Sequence, residues 1–125
     1  MERDTEQKRA IRNVLTAAGR PLAPQEVLEE ARLGVPKMGI ATVYRTLKAL
    51  TETGWLHAVE LPGEPQRYER AGKGHHHHFN CNRCGRTFDI ENCPGSLDGI
   101  VPAGFTMESH ELFVYGSCEE CNQDA

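Results

Sequence analysis

His75-His76-His77-His78-Phe79-Asn80-Cys81-Asn82-Arg83-Cys84 packs four imidazoles and two thiols into ten residues of a 125-residue chain. A second thiol pair, Cys118-Glu119-Glu120-Cys121, lies further on. Two residues between thiols let a tight turn aim both sulfurs at one ion. Two such turns supply a closed tetrahedral set of four thiolates, the arrangement of a structural zinc site. A redox dithiol pair and simple buried thiols are the competing readings of the same spacing. The 33 residues between Cys84 and Cys118 exceed a compact zinc ribbon, so they must enclose structure of their own. Cys93 stands outside both pairs and reads as a small core residue.

The histidine run carries a separate argument. On a strand, His76 and His78 share one face, and His75 and His77 share the other. Alternate imidazoles can therefore serve two different metal sites. A solvated polar strand is the plainer alternative. An expression tag fits poorly with a run four residues long that stands inside the chain against a CxxC. Candidate co-ligands are Glu69, Asp89, His110 and His57. An ion shared by His76, His78 and either Glu69 or His57 would bridge the two halves of the chain and set their relative orientation, as a metal sensor requires.

Working outward, the pattern before the run is helical and then extended. Ile11, Val14, Leu15 and Ala18 are spaced as one buried stripe of a helix over residues 5–18, with Thr5 as N-cap and Gly19 as stop. Residues 24–32 start on a first-turn proline and place Val27, Leu28 and Ala31 at helical spacing. A third helix is predicted over 41–53, with Val43, Leu47 and Leu50 inside. Ala41, Arg45 and Lys48 project opposite that stripe, with Tyr44 on the flank. A helix with a core face and an outer Tyr/Arg/Lys face is what a major-groove reader needs. Trp55–Leu61 and Gln66–Glu69 read as a hairpin about the turn Pro62-Gly63-Glu64-Pro65. Three helices followed by a hairpin is the order of a winged helix-turn-helix. Arg70–Gly74 reads as a short hinge, and the domain boundary falls there. Beyond it, strands are predicted over 75–80, 86–91 and 110–116, with Leu112/Val114 alternating against Phe113/Tyr115 and a short helix within 94–100.

Composition agrees with this division. Residues 1–70 carry eleven Lys/Arg against ten Asp/Glu, whereas residues 71–125 carry three against eight. The formal net charge of -4 therefore hides a first half able to present a basic face and an acidic second half. Halves of about 60 residues have little stability to spare, which gives a structural metal a purpose. No apolar run approaches the ~20 residues of a membrane helix. The charged start, Met1-Glu2-Arg3-Asp4, lacks a signal core. The expected location is the cytoplasm, where paired cysteines are metal ligands rather than disulfides.

Taken together, Ala41-Thr42-Val43-Tyr44-Arg45-Thr46-Leu47, Arg67-Tyr68-Glu69, the His75–Gly85 run and His110-Glu-Leu-Phe-Val-Tyr-Gly-Ser-Cys118 resemble the ferric uptake regulator family of bacterial metal-dependent repressors over nearly the whole chain. The resemblance implies an α+β protein. Residues 1–70 would form a winged-helix DNA-binding domain, 71–74 a hinge, and 75–125 a small α/β dimerisation domain with a structural zinc on Cys81, Cys84, Cys118 and Cys121. It implies a homodimer on a palindromic operator in double-stranded DNA. Tyr44 and Arg45 would be DNA contacts with Thr42 close by, and Arg9 a further one; Lys48 joins them from the helix reading. A sensory site at the hinge matches Glu69, His76, His78 and Asp89, and a second site matches His75, His77 and His110. The family often takes a hinge histidine from just after the first long helix, where this chain has Arg20, which cannot ligate a metal. His57 falls where zinc-sensing relatives place an aspartate, and is expected to replace it. Ala71 stands where those relatives often have a cysteine.

Fewer hinge ligands point to zinc as the sensed ion, with Fe(II) or Mn(II) sensing or a peroxide-sensing form as alternatives. The rival from another class is a zinc hydrolase using the histidine run. It lacks an H-E-x-x-H or G-x-S-x-G motif, and a catalytic zinc needs an open position with a general base beside it. No membrane and no small-molecule substrate are expected.

Overall fold

The computed structural model describes residues 5–74, 76–91 and 97–123. The expectations placed on His75 and Cys93 lie outside these residues. The chain forms two compact units, one ending at Lys73 and one beginning at Gly74.

The first unit opens with α1, Glu6–Ala18. Thr5 caps it, its Oγ1 accepting from Lys8 N–H at 3.1 Å, and Gly19 ends it with φ +66°, a left-handed conformation that glycine adopts without strain. Helix α2, Pro24–Ala31, begins on the proline because its missing N–H costs nothing there, and Glu26 Oε1 accepts from Ala23 N–H at 3.0 Å. Helix α3 runs Ile40–Glu52 with Val43, Leu47 and Leu50 buried. Strands β1 (Leu56–Val59) and β2 (Arg67–Arg70) pair antiparallel, with His57 opposite Glu69. The predicted first strand of the hairpin was longer, but the chain already turns at Leu61, whose carbonyl accepts from Glu64 N–H. One bridge was not foreseen. Leu22 exchanges both backbone hydrogen bonds with Tyr68, at 2.9 and 2.8 Å, so the α1–α2 link lies beside β2. Ile11, Leu15, Leu22, Val27, Leu28, Ala31, Met38, Val43, Leu47, Leu50 and Leu56 form one core cluster. Burying such an aliphatic side chain stabilises by about 1.5–3 kcal/mol.

The second unit is a three-stranded sheet ordered β4-β3-β5, with β3 at its centre. Strand β3 is His77–Cys81, β4 is Thr87–Ile90 and β5 is Phe113–Gly116. β4 runs antiparallel to β3, and β5 runs parallel to it. Each strand is shorter than predicted. The last cannot extend back to 110, because its register sets Phe113 against His78 and β3 begins only one residue earlier. Nor is one face of β5 cleanly buried as the alternation suggested. Val114 is 36% and Tyr115 46% exposed, since the strand is an edge. Gly116 leaves room for the Phe79 ring, since a Cβ there would meet Phe79 Cζ at 3.2 Å and push it aside by a few tenths of an ångström. A 3-10 turn covers Asp98–Ile100, inside the stretch where a short helix was expected, and α4, Glu119–Gln123, was not anticipated. Among the described residues this unit buries His77, His78, Asn80 and Thr87 with Cys81 and Cys118, and no leucine, isoleucine, valine or phenylalanine. Thr87 Oγ1 donates to Asn80 Oδ1 at 3.1 Å across the β3–β4 ladder. No described helix is long and apolar enough to cross a membrane.

Candidate metal centres and nucleic-acid face

Cys81 ends β3 and Cys84 lies in the turn after it, while Cys118 stands just before α4 and Cys121 on its first turn. Parallel pairing of β3 with β5 places Cys81 beside Gly116, so both CxxC turns leave the same end of the sheet. Cys81 Sγ lies 3.7 Å from Cys121 Sγ, and Cys84 Sγ lies 3.9 Å from Cys118 Sγ. Disulfide sulfurs sit roughly 2 Å apart, so these thiols are not bonded to one another. Zn–S bonds of ~2.3 Å in a tetrahedron give an S···S edge of about 3.8 Å, which the observed pair of distances brackets. All four sulfurs lie within 4.8 Å of one another.

The electrostatics of the set agree with that geometry. Backbone N–H groups of Cys84 and Cys118 donate to Cys81 Sγ at 3.4 and 3.3 Å, and these bonds, that from Cys84 first, bring the Cys81 thiol down to about 5. Cys121 is pushed up to about 12, by loss of water and by the neighbouring sulfurs. Burial pushes the Cys84 thiol up, but hydrogen bonds from Arg86 outweigh it and the net shift is downward. Four sulfurs held this close can all be thiolates only with a cation among them, so the donor set fits a structural zinc site.

A second cluster lies at the other end of β3. His78 on β3 and His76 just before it bring Nε2 to 3.4 and 3.5 Å from one oxygen, Asp89 Oδ1, because His78 and Asp89 face each other in the β3–β4 register. The His76 ring is set by its other nitrogen, with Nδ1 2.8 Å from the Gly74 carbonyl. An Nδ1–H there makes Nε2 the nitrogen able to ligate, and the carbonyl is the usual outer contact of a ligand histidine. On the opposite face of the strand, His77 Nε2 meets His110 Nε2 at 3.2 Å. His77 is buried, so this pair is held by the sheet rather than by solvent.

The remaining candidates belong to the first unit. Glu69 on β2 is 1% exposed, and its Oε2 lies 3.3 Å from Lys73 Nζ. His57 faces it across the ladder with an exposed side chain, and among the described residues it joins neither close group of donor atoms. Arg20 donates to Glu26 Oε2 at 2.7 Å and so serves as an ion-pair partner at the start of α2. On α3, Tyr44, Arg45 and Lys48 are exposed, and Arg45 donates to Thr42 Oγ1 at 3.1 Å, linking the two along the outer face. Arg9 is exposed on α1. Three functional neighbours were not read from the sequence: Lys73 beside Glu69, and Arg86 and Glu120 beside the thiols. The only sequence signal was proximity to a ligand: Lys73 and Arg86 as basic residues close to one, and Glu120 as an acid inside the second CxxC.

A helical unit whose third helix shows a Tyr/Arg/Lys face, followed by a sheet that collects four cysteine sulfurs at one end and imidazoles with a carboxylate at the other, defines a metal-dependent winged-helix DNA-binding protein. The family model of the ferric uptake regulator family matches residues 2–115, and the chain belongs to that family. It is similar to the ferric uptake regulation protein of Campylobacter jejuni, with 31% identity over 94% of this chain and 78% of the relative. It is likewise similar to the zinc uptake regulation protein of Mycobacterium tuberculosis, at 30% over 95% of this chain and 94% of the relative. The solved Helicobacter pylori ferric uptake regulator, described with three functional metal-binding sites, superposes with a TM-score of 0.72 at 26% identity, over 96% of this chain and 82% of that one. The protein is a metal-responsive transcription regulator of the repressor type and not an enzyme, which removes the hydrolase reading of the histidine run.

Proposed function

We propose that the protein represses its target genes by binding a palindromic operator as a homodimer when its histidine–carboxylate site is loaded, and that the loaded ion is zinc. The observation that carries the choice of ion is the spacing of His76 Nε2 and His78 Nε2 from Asp89 Oδ1, 3.5 and 3.4 Å. Tetrahedral zinc with bonds of ~2.05 Å gives a donor–donor edge of about 3.3 Å, whereas an octahedral ion with bonds of ~2.1 Å gives about 3.0 Å. His76, His78 and Asp89 would hold the ion, with Glu69 as the donor from the DNA-binding domain and His57 as its cross-strand neighbour. A divalent ion bound there supplies the coordination bonds that fix that domain about the 71–74 hinge. The domain boundaries 1–70 and 75–125 belong to this proposal. His77 and His110, with His75, form the second site. Tyr44 and Arg45 read bases, while Thr42, Lys48 and Arg9 hold the duplex backbone. A protein with these partners works in the cytoplasm.

The test is a metal titration of full-length protein that retains its cysteine-bound metal. The probe is a duplex selected from a random library, followed by fluorescence anisotropy at fixed salt. Buffered Zn2+ is expected to tighten DNA binding at least about tenfold, a coupling of ~1.4 kcal/mol. A response to Fe2+ or Mn2+ at free concentrations where Zn2+ is silent would overturn zinc. Indifference to all three would overturn the sensor.

A further inference from the structure

Arg86 stands immediately before β4 and reaches both thiol pairs. Its Nε donates to Cys84 Sγ at 3.1 Å, and one Nη lies 3.7 Å from Cys118 Sγ. That same Nη donates to the Glu120 carboxylate on α4. The guanidinium carbon lies 5.5 Å from the Phe88 ring centroid, which limits its swing from the other side. Cys84 and Cys118 come from different CxxC turns, so one planar cation ties the two turns together. The support of the four sulfurs is uneven. Cys81 has two backbone N–H donors, Cys84 and Cys118 share Arg86, and no N–H group among the described residues donates to Cys121.

We infer that Arg86 is a positioning residue of the four-cysteine centre, a forked clamp that neutralises thiolate charge and slows release of the ion. A tetrathiolate site carries four negative charges against two positive ones, a net of about -2 when filled with zinc. It sits in the acidic half of the chain, beside Glu119 and Glu120. A cation donating to two of the sulfurs offsets half of that excess. Arginine suits this place because its fixed fork serves two acceptors at once, while lysine offers a single point charge. Glu120 then acts on the guanidinium and not on the metal.

The test uses the full-length dimeric protein and its Arg86→Gln and Arg86→Lys variants, each loaded with zinc and exposed to excess chelator, with cobalt-substituted samples for spectroscopy. Arg86→Gln is expected to release zinc about tenfold faster, the lower end of the effect of losing an outer-shell partner, because the guanidinium is partly exposed. Its thiolate-to-cobalt charge-transfer band should move to longer wavelength, since a sulfur without its hydrogen bond donates more readily. Arg86→Lys should fall between. An unchanged release rate, or faster release with an unmoved band and no rescue by lysine, would overturn the inference and leave Arg86 as packing. Should Arg86→Gln not load metal, Arg86→Lys decides: faster release than the parent supports the fork, and the parental rate overturns it.

Discussion

Replacing Cys118 by serine should melt the second unit and leave the first folded. The reason lies in where apolar surface is buried. The first unit buries thirteen hydrophobic side chains, from Ile11 to Leu61, and the second buries Cys81 and Cys118 among its described residues. At about 2 kcal/mol per aliphatic side chain the first unit gains ~26 kcal/mol of gross hydrophobic stabilisation, to set against its chain entropy. Among its described residues the second unit fully buries no leucine, isoleucine, valine or phenylalanine to supply a comparable term. A structural zinc contributes about 10–16 kcal/mol of apparent binding free energy, comparable with the whole net stability of a domain. Losing one of four thiolates removes most of it. Hydrogen exchange read by mass spectrometry is the assay. Peptides covering 77–81, 87–90 and 113–116 should lose protection, while those covering α1, α2 and α3 keep theirs. Far-ultraviolet dichroism should change little, because helices of 13, 8 and 13 residues lie in the first unit and one of 5 in the second. Retained protection across β3 in the variant would refute the reasoning, as would simultaneous loss in both units.

Three further expectations address the other elements. Arg45→Ala should weaken binding to a selected duplex by about 1–3 kcal/mol at fixed salt, with sedimentation still showing a dimer; an unchanged affinity would take α3 out of the groove. Lys73→Met removes the cation 3.3 Å from the Glu69 carboxylate and should tighten the exchangeable metal about two- to fivefold in an indicator competition, consistent with an ion pair of up to about 1 kcal/mol; equal or weaker affinity would separate Glu69 from that site. Tyr115→Asp on the exposed edge strand β5, near Val114 and in the unit that also exposes Ile100 and Phe105, should shift sedimentation toward monomer, and an intact dimer would place the dimer face elsewhere.

Much of this molecule is legible in its residues, for a local reason. Helical spacing of Ile11, Leu15, Val27, Leu28, Val43 and Leu47 names the buried stripes, and Thr5, Pro24 and Gly19 mark helix ends, because each acts on backbone within one turn. The CxxC pairs name a four-thiolate site because two intervening residues fix where both sulfurs point. Alternation along 75–78 separates His76 and His78 from His77, as the strand later bears out. What residues alone did not decide is which strand lies beside which. That β5 runs parallel to β3, bringing His110 to His77 and Cys118 to Cys81, follows from a register set by non-local hydrogen bonds. The ends of β3 and β5 follow from the same pairing, since a strand stops where its partner does. Arg86 on Cys84 and Cys118, Lys73 on Glu69, and Arg20 on Glu26 are likewise tertiary facts: long flexible cations take whichever anion the fold sets within reach, and no sequence spacing specifies that choice.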